Sequence, residues 1–216
     1  MPGPSRNYAK ELERLIQKLQ QEGKVPRLLL HACCAPCSSA VLEYLSQYFA
    51  ITLLYYNPNI APLEEYQKRE AELRRLVSQM KFTHPVALLP CQYDGQAFVQ
   101  AARGLEGEPE GGKRCEVCFR LRLCYAAQEA ARLRFDYYTT TLSISPMKNA
   151  PLLNQLGEEI GREFGVAHLP SDFKKKDGYK RSVQLSKEYD LYRQDYCGCA
   201  FSKAQRQREK EEREEV

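Results

Sequence analysis

Nine cysteines among 216 residues are the side chains best able to do chemistry, and they are unevenly spaced. Three lie in Cys33-Cys34-Ala35-Pro36-Cys37, two in Cys115-Glu116-Val117-Cys118 and two in Cys197-Gly198-Cys199, with Cys91 and Cys124 alone. An odd count would leave one thiol over in a paired framework. The chain is also too long and too charged for a disulfide-stapled mini-scaffold, so metal ligation or redox chemistry suits the pattern better. Cys115 and Cys118 share one face of a predicted helix start, where unsatisfied N–H groups favour thiolates. The preceding Gly111-Gly112 lets that pair approach the first cysteine loop. Two sulfurs from Cys33 and Cys34 with two from Cys115 and Cys118 make a four-thiolate site suited to zinc or an iron–sulfur cluster. Side chains of adjacent cysteines are expected to diverge, which favours the wider corners of a cubane over one tetrahedral ion.

The remaining thiols read differently from one another. Cys197-Gly198-Cys199 is either a redox-active pair, ligands for a second metal, or a turn with incidental thiols. Cys37 is either a ligand of a second metal beside the cluster or a helix-start thiol facing the core. Cys91 and Cys124 read as packing residues. Three histidines, none paired at ligand spacing, disfavour a histidine-based zinc enzyme. His31 reads as a hydrogen-bonded core residue, and His84 and His168 as surface or strand-edge residues. No glycine interrupts His31–Cys37, so a phosphate cradle after the first strand is not expected. Two segments join basic and aromatic residues, 171–181 (SDFKKKDGYKR) and 188–196 (EYDLYRQDY). Charge for phosphates and rings for unpaired bases is the recipe for single-stranded RNA contact, against a solvated loop beside a tyrosine-rich helix.

These residues need elements to position them. Apolar runs at 27–31, 51–56, 84–90, 135–142 and 166–170 read as five strands. Helical patterns at 8–20, 63–80, 97–102, 115–134, 152–164 and 182–193 alternate with them, and a further helix is capped by Ser38 or Ser39. Residues 104–113 (GLEGEPEGGK) read as a flexible excursion. The alternation implies a doubly wound, Rossmann-like α/β fold with a mostly parallel five-stranded sheet and a cysteine-rich helical C-terminal extension. Ligands in such folds sit beyond the carboxyl ends of the strands, where the winding reverses, and that is where the cysteine loops fall. The expected organisation is an N-terminal helix over 1–26, a catalytic domain over 27–202 and a charged solvated tail over 203–216.

Composition is that of an ordinary globular chain, with 43% hydrophobic and 28% charged residues. A net charge of +4 permits a nucleic-acid partner without demanding one. Apolar runs are far below the ~20 residues that span a bilayer, and no signal-peptide core follows the first residues. A cytoplasmic protein with no membrane partner is expected.

Together HACCAPC, YNPNIAPLEEYQKR, KRCEVCFRLRL, TTTLSISPMKN and DFKKKDGYKRSVQLSKEYDLYRQDYCGCAFS resemble the epoxyqueuosine reductase family, QueH, from about residue 27 to 202. The resemblance implies a tRNA-modifying enzyme that removes the epoxide oxygen of epoxyqueuosine at the anticodon wobble position, the last step of queuosine synthesis. It implies a [4Fe–4S] cluster on Cys33, Cys34, Cys115 and Cys118 and a redox-active disulfide between Cys197 and Cys199. An additional iron ion beside the cluster has Cys37, Cys197 and Cys199 as candidate ligands. Asp172, Tyr179 and Lys180 are candidate proton donors. The partners expected are tRNA carrying epoxyqueuosine and an electron donor of unknown identity. The rival reading is a zinc- or dithiol-containing RNA-binding or thiol–disulfide protein without iron. A second rival is an ATP-dependent tRNA-thiolating enzyme on a similar sheet, against which the missing glycine loop argues.

Overall fold

Five short apolar segments form a sheet in the order β3-β2-β1-β4-β5, with every neighbouring pair parallel. The strands are β1 (Arg27–His31), β2 (Ala50–Leu54), β3 (Val86–Leu89), β4 (Tyr137–Thr140) and β5 (Ala167–His168). This is a computed structural model, and it describes residues 6–214. The central strand β1 is buried on both sides, which is why it reads as an unbroken run of leucines. Leu28 and Leu30 pack into one core and Leu29 into the other, following the two-residue alternation of a strand.

Helices cover both faces. On the first lie α1 (Tyr8–Gln21), α2 (Ala35–Leu45), α3 (Leu63–Gln79) and α7 (Gly178–Glu188). On the second lie α5 (Lys113–Arg132) and α6 (Ala150–Phe164). A short α4 (Gly95–Ala101) packs Phe98 against Cys118 and Cys199, and α8 (Ala200–Glu214) closes the described chain. The sheet order puts β2 on one side of β1 and β4 on the other, so the winding reverses between β1 and β4. There the backbone N–H of Cys33 donates to Thr141 Oγ1 at 3.1 Å, joining the two strand ends.

Three local expectations are corrected. Helix α2 starts at Ala35 rather than after Ser38 or Ser39, with Cys34 as its N-cap and Pro36 in the first turn, where a missing N–H costs nothing. The Ser38 and Ser39 hydroxyls instead donate back to the carbonyls of Cys34 and Pro36. Helix α7 begins at Gly178 and stops at Glu188, because Asp190 takes a left-handed backbone (φ 47°) and Leu191 N–H turns back to Ser186 O. Residues 189–197 therefore run as an irregular strap to the last cysteine pair. The glycine-rich excursion is also pinned, since the Arg114 guanidinium donates to the carbonyls of Leu105, Glu106 and Glu108.

Candidate metal and redox centre

The corner between β1 and α2 brings three sulfurs together. Those of Cys33, Cys34 and Cys37 lie within 4.8 Å of one another, and Cys33 and Cys34 are 3.9 Å apart. Adjacent cysteines converge here rather than diverge, because Cys34 sits extended at the N-cap (φ −172°, ψ 168°) and α2 then turns Cys37 back over it. Thiols this close cannot all ionise independently. Cys34 is held below the usual thiol range by hydrogen bonds from Cys33 and Cys37. Its neighbours go the other way, Cys33 to about 11 chiefly through its bond with Cys34, and Cys37 through its bonds with Cys33 and Cys34. The Thr141 hydroxyl donates to Cys33 Sγ at 3.3 Å, a bond from the turn just after β4 that stabilises negative charge on the sulfur.

This trio lines a cavity of about 450 Å³ whose wall includes Asn57, Arg69, Arg122, Lys148 and Cys197. Four more thiol positions border a smaller adjoining cavity. Cys115 and Cys118 come from the start of α5, Cys197 and Cys199 from the segment before α8. Cys197 and Arg122 line both spaces. Burial pushes the Cys118 thiol up to about 12 and raises Cys199 too. The sulfurs of Cys115 and Cys199 each accept a backbone N–H, from Gly111 at 3.2 Å and Ser202 at 3.3 Å. All nine cysteines are free thiols.

Buried polar residues hold the second set of thiols in place. Glu110 accepts from Lys148 Nζ at 2.9 Å and from the Ser202 hydroxyl at 2.8 Å. The same hydroxyl accepts the Cys197 N–H at 3.1 Å. Burial works against the Glu110 charge, but Lys148 and Ser202 outweigh it and hold the carboxyl below its ordinary range. Arg69, 2% exposed, pairs with Glu65 at 2.7 Å and donates to Cys197 O at 3.2 Å. Ala61 N–H donates to Gly198 O, and Gly198 itself has φ 115° with Arg69 and Ile60 where a Cβ would stand.

The other candidates divide. Tyr179 lines the main cavity at its rim, with Met147 beside the same opening. Asp172 is bound to Lys174 at 2.7 Å and faces a separate groove near Arg6 and Asn149, and Lys180 is exposed outside both thiol cavities. The Tyr192 and Tyr196 rings carry cations from α3, Lys68 at 3.6 Å and Arg69 at 5.1 Å. Cys91 and Cys124 pack against the second core as expected. His31 is fully buried, bonded to Thr140 Oγ1 at 2.8 Å and Tyr56 O at 3.0 Å, and burial then Arg122 lower it to about 4. His168 is on the edge strand, but its ring turns inward over Gly157 against Tyr138, and both ring nitrogens are buried without partners.

Sequence reasoning missed Asn57, Arg69, Glu110, Arg122 and Lys148. The available signal was position. Asn57 follows a strand end, and Arg122 shares a helix face with Cys115 and Cys118, where a solvated charge does not belong.

A parallel α/β fold with thiols gathered beside its switch point presents a site built for metal binding or thiol redox chemistry. The sequence model of the family described as "Epoxyqueuosine reductase QueH" matches residues 28–205. A protein of that name from Streptococcus pyogenes serotype M1 is 43% identical over 203 residues, covering 93% of this chain and 80% of that one. The one from Staphylococcus epidermidis is 41% identical, covering 91% of this chain and 84% of the relative, and the one from Thermotoga maritima 34%, covering 83% and 91%. The chain belongs to the epoxyqueuosine reductase QueH family, and it is an enzyme. A solved NAD+ synthetase from Burkholderia pseudomallei aligns over 87% of this chain and 90% of its own, with 12% identity and a TM-score of 0.23, too low to bear on either fold or function. No described helix is long and apolar enough to cross a membrane.

Proposed function

We propose that the chain reduces epoxyqueuosine to queuosine in tRNA at the wobble position, using a [4Fe–4S] cluster held at the two adjoining thiol cavities. What supports this reading is that three thiols clustered within 4.8 Å at the β1–α2 corner line one cavity, and four from α5 and the last loop border a second that shares Cys197 and Arg122 with it. The donor set fits such a group. The sulfurs are soft ligands, hydrogen-bonded through Thr141, Gly111 and Ser202, in a pocket with buried cations that offset their charge. Cys33, Cys34, Cys115 and Cys118 are the assigned cluster ligands. Cys37 with Cys197 and Cys199 would hold an additional iron, or Cys197 and Cys199 would cycle as a redox-active disulfide.

Deoxygenation of the epoxide takes two electrons and two protons and releases water. A cluster held by Cys33, Cys34, Cys115 and Cys118 would supply the electrons, one at a time, from an external donor. The chain's own residues shape the rest. Asn57 and Arg122 line the cavity together with the sulfurs, and residues 193–197 of the strap form part of its wall. Among the three proton-donor candidates, Tyr179 is the one at the cavity, so its hydroxyl is assigned that role. Tyr179 (40% exposed) and Met147 (59% exposed) present apolar surface at the opening, with Arg193 and Arg206 alongside. That pairing suits a base stacked at the rim and phosphates passing over it.

The test is anaerobic turnover of epoxyqueuosine-containing tRNA with dithionite by iron- and sulfide-reconstituted protein. The nucleoside product should lose the mass of one oxygen. Unchanged nucleoside with a fully loaded cluster would overturn the activity, and a colourless, zinc-loaded protein that turns over would overturn the cofactor.

A further inference from the structure

Arg122 is 1% exposed and projects from α5 one turn beyond Cys118. Its Nε donates to Cys118 O at 3.2 Å and its Nη1 reaches Asn57 Oδ1 at 3.5 Å, while Nη2 has no partner. Its charge is unanswered by any carboxylate of the described residues. Buried Arg114 beside the smaller cavity also has none, but its guanidinium is taken up by the carbonyls of Leu105, Glu106 and Glu108. Two other buried cations nearby are paired, Arg69 with Glu65 and Lys148 with Glu110. A guanidinium cannot shed its proton to escape burial, so an isolated one is strongly disfavoured. Burial opposes the Arg122 charge, and the groups that favour it are Cys118, Cys197, Cys33 and Cys115. The side chain lines both thiol cavities, so one fixed positive charge stands between the two sets of sulfurs.

We infer that Arg122 is the fixed counter-charge of the metal group, its free Nη2 donating to a sulfur there and holding the reduction potential up. This rests on the iron–sulfur reading above. A thiolate-bound cluster is anionic and gains one more negative charge on reduction, so a cation in contact stabilises the reduced state more than the oxidised one. The hydrogen bond acts in the same direction, because electron density on sulfur rises as the group is reduced. Arg122 is thus a tuning residue rather than a proton donor, and its mark should be on the potential itself.

The experiment is a redox titration of anaerobically prepared holoprotein, followed by the paramagnetic signal of the reduced cluster, for the natural chain, Arg122→Gln and Arg122→Lys. Iron and sulfide content is measured on each sample. Arg122→Gln should shift the potential clearly negative at unchanged folding. Arg122→Lys, which keeps the charge and loses the planar fork, should shift it less and in the same direction. Should Arg122→Gln fail to retain the cluster, Arg122→Lys is the variant that decides. A natural potential in a variant that retains the cluster overturns the inference and leaves the cofactor reading standing. Absence of iron and sulfide from the natural chain after reconstitution overturns both.

Discussion

The two groups of thiols are held in opposite ways. Cys33, Cys34 and Cys37 span five residues at the end of the central strand, in a turn fixed by the fully buried β1 and the first turn of α2. Cys115 and Cys118 meet Cys197 and Cys199 across some eighty residues of chain, at a place held by the Glu110–Ser202 and Arg69–Cys197 bonds. The first group is preorganised by local geometry; the second is brought together by tertiary packing and a polar network.

The comparison is broken most sharply at the corner. On the proposed ligand assignment, Cys34→Ser should remove iron–sulfur absorbance and bring turnover below detection while circular dichroism stays native, because an oxygen would replace a soft ligand without altering the fold. Retention of both colour and turnover would show that the corner is not where the metal sits. On the opposite side the ligands stay and their support goes. Glu110→Gln leaves Lys148 unpaired and weakens the tie to Ser202, so iron content or turnover should fall about 10–100-fold, the usual cost of losing an outer support of a metal site. A Glu110→Gln enzyme with full iron and full rate would mean the second group is as self-sufficient as the first.

Gly198→Ala sharpens the same contrast with a smaller effect. The new methyl must occupy a left-handed backbone at φ 115° and lie 2.9 Å from both Arg69 and Ile60. Strain of this kind costs about 1–3 kcal/mol. The thermal midpoint should drop by several degrees, and the accessibility of Cys197 and Cys199 to a thiol reagent should rise in the metal-free protein. Equal reactivity in the two proteins would argue that the strap does not hold that segment.

What could be read from the sequence follows the same division. The strands were legible because buried parallel strands are short apolar runs, and β1 was placed to the residue. The corner trio was legible because it is one motif. Helix α2 was misplaced by its serines, since Pro36 is a better signal of a first turn than a hydroxyl two residues later. Which thiols face one another across the second cavity depends on how α4, α5 and α8 pack, and cysteine spacing holds no information about that. Arg122 and Glu110 were hidden for a related reason. A charged residue in a helix or glycine-rich loop reads as solvated until its partners, distant in sequence, are known.

The smallest expected effect lies away from the rim, and it tests whether the sheet beneath the site is as passive as the comparison assumes. His168 has two buried, unpartnered ring nitrogens, and burial lowers its folded-state pKa to about 3. An unfolded histidine titrates near 6.5. As the pH falls below that value the unfolded chain takes up a proton that the folded chain refuses. Stability linked to His168 is therefore complete above about 6.5 and is lost progressively toward 3. His168→Phe removes this linkage and the two orphaned nitrogens, and a ring still packs over Gly157 and against Tyr138. Near pH 7.5 the variant's thermal midpoint should sit within a few degrees of the natural one, and between pH 6.5 and 4.5 its decline should be visibly shallower. His31, buried in both proteins, contributes the same acid sensitivity to each, so the difference between the two curves isolates the edge strand. Parallel curves would mean that the His168 ring finds a proton acceptor on folding, and that β5 belongs to the polar network rather than to its inert support.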